Sequence, residues 1–155
     1  MQRRISSGFT LVEIMAGVAV GAAGIAAAIA VPAYKDFAVR SQVSDLVIAA
    51  ARCKTSVSEF YIANGRLPDS AKEAGCPENV TSNANPMAVY NGEILVQAVG
   101  ALATQLGTKN MFAYRALCAD GECAGAPLQG WTCSASSKFA ASTSIPPKYL
   151  PSACR

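Results

Sequence analysis

The chain contains no histidine. The residue that most often moves protons for a serine or cysteine nucleophile is therefore missing. Lysine can replace it, but no Ser and Lys stand at a spacing that suggests a pair, so nothing in the sequence resembles a catalytic site. Charge is the second absence: after Glu13 no charged residue appears until Lys35. Residues 14–33 form a 20-residue apolar run, roughly 30 Å long as a helix and enough to cross a hydrocarbon core. The run is also poor in leucine. Alanine dominates it, with Gly17, Gly21 and Gly24, which makes it weakly hydrophobic for a span but well suited to close helix packing.

No polybasic tract follows the first few residues, so nucleic-acid binding is not written into the bulk charge. The net charge is +3, from 13 basic and 10 acidic residues. Arg3 and Arg4 lie ahead of the apolar run, where they would hold that end on the cytoplasmic side; without them the balance is 11 to 10, or +1. The length, 155 residues, suits one domain plus an anchor. There is no internal repeat and no low-complexity linker.

Cysteine is plentiful. Cys53, Cys76, Cys118, Cys123, Cys133 and Cys154 all lie beyond the apolar run, and six cysteines without histidine point to an oxidising compartment. Zinc is the rival reading for Cys118 and Cys123, at C-x4-C. It lacks both a histidine and a second close cysteine pair. No metal or cofactor is implied.

From Lys35 onward the pattern is amphipathic. Val39, Val43, Leu46, Ala50, Cys53, Val57 and Phe60 step by four and three residues along one helix face, with Asp36, Arg40, Asp45, Arg52 and Glu59 mostly opposite. One helix of more than fifty residues accounts for both halves. Asn64-Gly65 and Pro68 stop it, and Pro32 should bend it. Residues 65–87 read as an irregular connector. Residues 88–90 and 93–99 flank Asn91-Gly92, a strong hairpin signal. Residues 111–118 and 129–134 read as two further strands, 102–107 as a loop or a helical turn, and 136–155 as loop.

The hexapeptide Gly8-Phe9-Thr10-Leu11-Val12-Glu13, behind a basic leader and ahead of an apolar helix, resembles the processing site of type IV prepilins. The resemblance implies a membrane peptidase that cuts between Gly8 and Phe9 and methylates the new Phe9 amine. It divides the chain into a leader (1–8), an apolar transmembrane and filament-core helix (9–34), and an amphipathic half-helix with a globular head (35–155). Glu13 would be the fifth mature residue. A carboxylate at the rim of a charge-free helix is expensive in a bilayer, and the family pairs its glutamate with the Phe9 amine of a neighbouring subunit. Pairing within the chain, or a place at the bilayer rim, is the alternative.

One long helix followed by four antiparallel strands, an α+β arrangement, also matches the pilin fold. Trp131-Thr132-Cys133 with Lys148-Tyr149-Leu150-Pro151-Ser152-Ala153-Cys154-Arg155 is similar to the C-terminal disulfide loop of type IVa pilins. Six cysteines allow 15 pairings. Proximity and the resemblance together suggest 53–76, 118–123 and 133–154. Pro32 departs from the family pattern, falling two residues later than usual. The resemblance implies a non-enzymatic filament subunit whose partners are its own copies, a prepilin peptidase and an inner-membrane assembly platform. Its site would be the inner membrane and then a Gram-negative surface fibre serving adhesion, twitching motility or DNA uptake. The rivals are a minor pilin contacting DNA or a host surface through Lys109, Arg115, Lys138, Lys148 and Arg155, and a type II secretion pseudopilin. Major subunits of the latter typically lack the Cys133–Cys154 loop.

Overall fold

The computed structural model describes residues 10–77, 82–119, 121, 123–135 and 141–155; inside the first helix the side chains of 22, 23, 25–30 and 32 fall outside that description. The chain divides into two compact units, Met1–Phe37 and Ala38–Arg155. The first helix, α1, runs Leu11–Asn64, 54 residues, and its backbone stays helical through Pro32. Gly65 ends it at φ +69°, its N–H donating to the Tyr61 carbonyl, the left-handed cap that glycine adopts without a Cβ penalty. Among the described residues no helix is long and apolar enough to cross a membrane. The span expected at 14–33 falls in part on residues whose side chains lie outside the description.

Within the second unit, Val39, Val43, Leu46, Ala50, Cys53 and Val57 are buried along one face of α1. The row ends differently from its sequence pattern. Phe60 is half-buried, and Tyr61 takes the core position at 5% exposure. Two contacts explain the exchange: the Tyr61 hydroxyl donates to the Ala126 carbonyl, while the Phe60 ring lies under the Arg66 guanidinium. Asp36, Arg40, Asp45, Arg52 and Glu59 are all exposed.

Four strands form one antiparallel sheet in chain order, β1 (Ala88–Tyr90), β2 (Glu93–Gln97), β3 (Met111–Cys118) and β4 (Leu128–Thr132). Ile94 and Val96 of β2 and Phe112 and Tyr114 of β3 join the α1 row in one core cluster. Asn91 and Gly92 have φ of 47° and 70°, as a two-residue turn of the type that matches strand twist requires. Two strands depart from the sequence expectation. β2 stops at Gln97, with Ala98 in an isolated bridge to Ala84. Residues 100–106 form a short helix, α2 (Gly100–Leu106), the helical one of the two readings of 102–107, and it buries Leu102 and Leu106. β4 begins one residue earlier and ends two earlier than expected, with a register shift opposite Leu117 and Cys118.

The tail is more ordered than its composition suggests. Residues 141–145 alternate buried and exposed, with Ala141, Thr143 and Ile145 buried, the period of a strand. Ser144 and Ile145 donate backbone N–H bonds to the Met111 carbonyl, and Thr143 bonds Ala113 through its hydroxyl. β4 pairs only with 115–118, so the tail satisfies the first half of β3. Glu93 accepts from the Ser142 N–H and hydroxyl, fixing where that segment begins.

Gly92 holds the β1–β2 turn on the connector, its N–H donating to the Pro68 carbonyl at 3.0 Å. A Cβ there would lie 2.6 Å from the Leu67 Cδ2 at a left-handed φ of +70°. Gly92→Ala should therefore destabilise the protein by roughly 1–3 kcal/mol, read as a lower urea midpoint. An unchanged midpoint would show that the turn relaxes away from Leu67.

Candidate assembly site and its disulfide-bonded support

Gly8 and Phe9 lie outside the described residues. Glu13 is described, and it sits in the first turn of α1 among the exposed side chains of Leu11, Val12, Ile14 and Met15. Its carboxylate accepts from the Thr10 N–H and hydroxyl, while the Glu13 N–H donates to the Thr10 hydroxyl, each at 3.4 Å. This reciprocal arrangement is a capping box. It answers helix-end donors that have no partner within the helix. Thr10 is the residue sequence reasoning passes over, although T-x-x-E ahead of an apolar run is a helix-start signature. The bonds are long. A cationic amine would make a shorter, charge-assisted bond to the same carboxylate, so the box orients Glu13 without saturating it.

The cysteines form three disulfides, Cys53–Cys76, Cys118–Cys123 and Cys133–Cys154, with Cα–Cα distances of 5.0, 5.0 and 4.9 Å. All six residues are buried. The first ties α1 to the connector, the second closes the loop between β3 and β4, and the third returns the tail to the end of β4. Polar contacts support the third: the Arg40 guanidinium donates to the Lys148 carbonyl at 2.7 Å, and Arg155 Nε to the Leu150 carbonyl at 3.0 Å. A smaller cluster of Tyr61, Ala116, Cys118 and Cys123 packs beside Leu128 and Trp131 at the second bridge.

Cys76 is presented by a single helical turn. The Ser70 hydroxyl accepts the Glu73 N–H, the Asp69 N–H donates to Glu73, and Gly75 closes the turn at φ +70°. The Asp69 N–H, followed by the Arg66 guanidinium, holds the Glu73 carboxyl below its usual range.

The cations considered for an anionic partner stand on separate elements. Lys109 follows α2, Arg115 is on β3, and Lys148 and Arg155 are on the tail, where Lys148 lies 4.4 Å over the Tyr149 ring. Lys138 lies outside the described residues. Arg115 lines a polar cleft of about 340 Å³ with Asn91, Gly121 and Cys123.

Two measurements test the support. In the chain-entropy picture the Cys133–Cys154 bridge, with 21 residues of separation, restrains the unfolded chain by about 3 kcal/mol, against about 2 kcal/mol for the five-residue Cys118–Cys123 bridge. Cys133→Ser should then lower the denaturation midpoint more than Cys118→Ser does, and equal losses would refute the ranking. A carboxyl whose folded pKa is depressed stabilises the fold above its ordinary value, 4.5, and the benefit fades as pH falls through the lower folded value. The stability difference between the protein and Glu73→Gln should thus be flat near neutrality and vanish on acidification below about 4.5. A difference that persists in acid would assign Glu73 a role independent of charge.

Comparison with known proteins gives these features a family. The description "Pilin (bacterial filament)" matches residues 39–155, and "Prokaryotic N-terminal methylation motif" matches residues 3–29. The chain is 33% identical to the fimbrial protein EcpC of Eikenella corrodens over 155 residues, all of this chain and 94% of that protein. It is 41% identical over 71 residues to a type IV major pilin protein PilE1 of Neisseria gonorrhoeae, 46% of this chain and 42% of that protein. The match thus spans about two fifths of the gonococcal PilE1 chains. The type IV major fimbrial protein FimA of Dichelobacter nodosus is 27% identical over 157 residues, 99% of each chain. With a long N-terminal helix, a four-stranded antiparallel sheet and disulfides behind a methylation motif, this chain belongs to the type IV pilins, a structural and non-enzymatic family whose members are processed by a prepilin peptidase and self-assemble into pilus filaments on the cell surface.

Proposed function

We propose that this chain is the major structural subunit of a type IV pilus, made as a precursor and cut between Gly8 and Phe9. The observation that carries the reading is a single helix with two characters. α1 is charge-free between Glu13 and Lys35, and from Val39 to Tyr61 it supplies the central row of a disulfide-bonded core. The precursor is held in the inner membrane by residues 14–33, with Arg3 and Arg4 on the cytoplasmic side. After cleavage the methylated Phe9 amine keeps its positive charge. The inner-membrane platform then adds the subunit to a growing filament of identical copies, a fibre that serves adhesion, twitching motility or DNA uptake in a Gram-negative bacterium.

Glu13 provides the registration step. An amine and a carboxylate in an apolar core each cost several kcal/mol alone and are tolerable together. The Glu13 carboxylate, oriented by Thr10, pairs with the Phe9 amine of the neighbouring subunit and so selects one axial register. The abundance of the chain in sheared filaments separates a major subunit, a dominant band, from a minor one, a trace.

N-terminal mass spectrometry of surface protein should find a methylated Phe9 start. An intact Met1 start would defeat the reading. Glu13→Ala should leave membrane insertion intact or slightly improved, because a charge leaves the apolar segment, while filaments fall sharply. Filaments of normal length and number from that variant would remove the intersubunit pairing.

A further inference from the structure

The three disulfides are not supported alike. Cys53, Cys76, Cys133 and Cys154 belong to the main core cluster, where α1, the sheet, the connector and the tail meet. Cys118 and Cys123 belong to the smaller cluster, with Tyr61 and Ala116. Two thiols clamped by a close-packed core stay at bonding distance and close again; two thiols at its margin can part. Cys118 ends β3 and is paired with Leu128 of β4. Cys123 has no strand to hold it.

The backbone at Cys123 adds strain. Its φ is 57°, a left-handed conformation that non-glycine residues rarely adopt and keep only where their surroundings impose it. The bridge to Cys118 is one such restraint. There is also room to move. Cys123 and Ala124 line the polar cleft of about 340 Å³ with Arg115 and Gly121. Gly125, Ala126 and Pro127 line a second cleft of about 470 Å³, mostly apolar, with Tyr61 and Ile62. Open space therefore borders the whole of residues 123–127. Beyond the bridge, their far end is tied by the Tyr61 hydroxyl donating to the Ala126 carbonyl at 2.5 Å and the Ala119 N–H donating to the Pro127 carbonyl at 3.3 Å.

We propose that the Cys118–Cys123 bridge is a site of thiol–disulfide exchange, opened and closed by a dithiol while the other two bridges stay intact. The dithiol enters by the polar cleft, and its thiolate attacks Cys123 Sγ. The bond to Cys118 breaks, and the Cys118 sulfur leaves as a thiolate that takes up a proton. The second thiol of the reagent then displaces Cys123 from the mixed disulfide. The reagent departs as a cyclic disulfide, having given two electrons and two protons to the protein. Cys123 leaves its left-handed backbone, residues 123–127 shift into the space beside them, and the small cluster loosens next to Trp131. The main core keeps both of its bridges, so the change stays local.

Trp131 is the single tryptophan of the chain and packs against that cluster, so its emission reports the opening. The full chain in detergent micelles is titrated with mixtures of reduced and oxidised dithiothreitol, trapped with N-ethylmaleimide and mapped by peptide mass. Cys118 and Cys123 should label at a reduced-to-oxidised ratio roughly tenfold below that needed for the other four cysteines, about 30 mV for a two-electron couple. Trp131 emission should move to longer wavelength at that same ratio and return on reoxidation. Cys118→Ser with Cys123→Ser should show the shifted emission from the outset while retaining the other two bridges. Earlier labelling of another pair, or release of all six cysteines together, would overturn the proposal. So would opening of Cys118–Cys123 with unchanged Trp131 emission. If the double serine variant does not fold, the titration of the unmodified chain decides alone.

Discussion

The head is organised by one contact, the burial of an α1 face against the sheet. Val43, Leu46, Ala50, Cys53 and Val57 are sealed from water along four turns of helix, and Ile94, Val96 and Phe112 meet them with no exposure of their own. Close-packed interiors of this kind tolerate little change of volume. The other elements serve that contact. α2 contributes Leu102 and Leu106, while the tail adds Ile145 and Leu150. A helix fixed along so much of its length gives the surrounding loops a rigid reference, and each disulfide then secures a segment with too little apolar surface to hold itself. The polar segment that follows Gly65 and ends at Cys76, bridged back to Cys53 of α1, is the clearest case.

Much of this was legible because the signals were local. The three-and-four spacing marked the helix, Asn64-Gly65 marked its end, and Asn91-Gly92 marked the hairpin. The misread parts depend on tertiary contacts. Residues 98–106 carry valine and leucine in no decisive period, so the choice between loop and helix falls to the burial of Leu102 and Leu106 in the core. Residues 141–145, Ala-Ser-Thr-Ser-Ile, have an alternation too mild to read as a strand. Only the open side of β3, left when β4 pairs with 115–118 alone, supplies the partner that extends them. Tyr61 displaces Phe60 from the core row because its hydroxyl finds the Ala126 carbonyl, a partner 65 residues away that no periodicity can announce.

At the N-terminal site the motif was plain in the sequence and its local chemistry was not. Glu13 stood out as an isolated charge, whereas Thr10 looked unremarkable until the capping box placed it on the same carboxylate. Cap and charge are two demands on one side chain. The cap keeps Glu13 turned toward the start of the helix, which is where an N-terminal amine would lie. It does so through long bonds that a stronger partner can replace.

The division of labour follows from where the apolar surface lies. The core cluster draws on α1, β1, β2, β3, α2 and the tail of a single chain, so the head needs no second copy to complete its interior. Folding and oxidation can therefore finish before assembly, and assembly is left with the surface that folding did not consume. Among the described residues half of the large apolar side chains left exposed are on the N-terminal turns of α1, where Leu11, Val12, Met15, Val18 and Val20 are each more than three-fifths exposed. In the proposed filament subunit, lipid would satisfy those side chains as well as another helix does, so apolar burial alone would give little drive to leave the membrane. What lipid could not supply is a counter-charge for Glu13. On that proposal a single carboxylate separates two environments that the rest of the segment, being free of charge, could not distinguish.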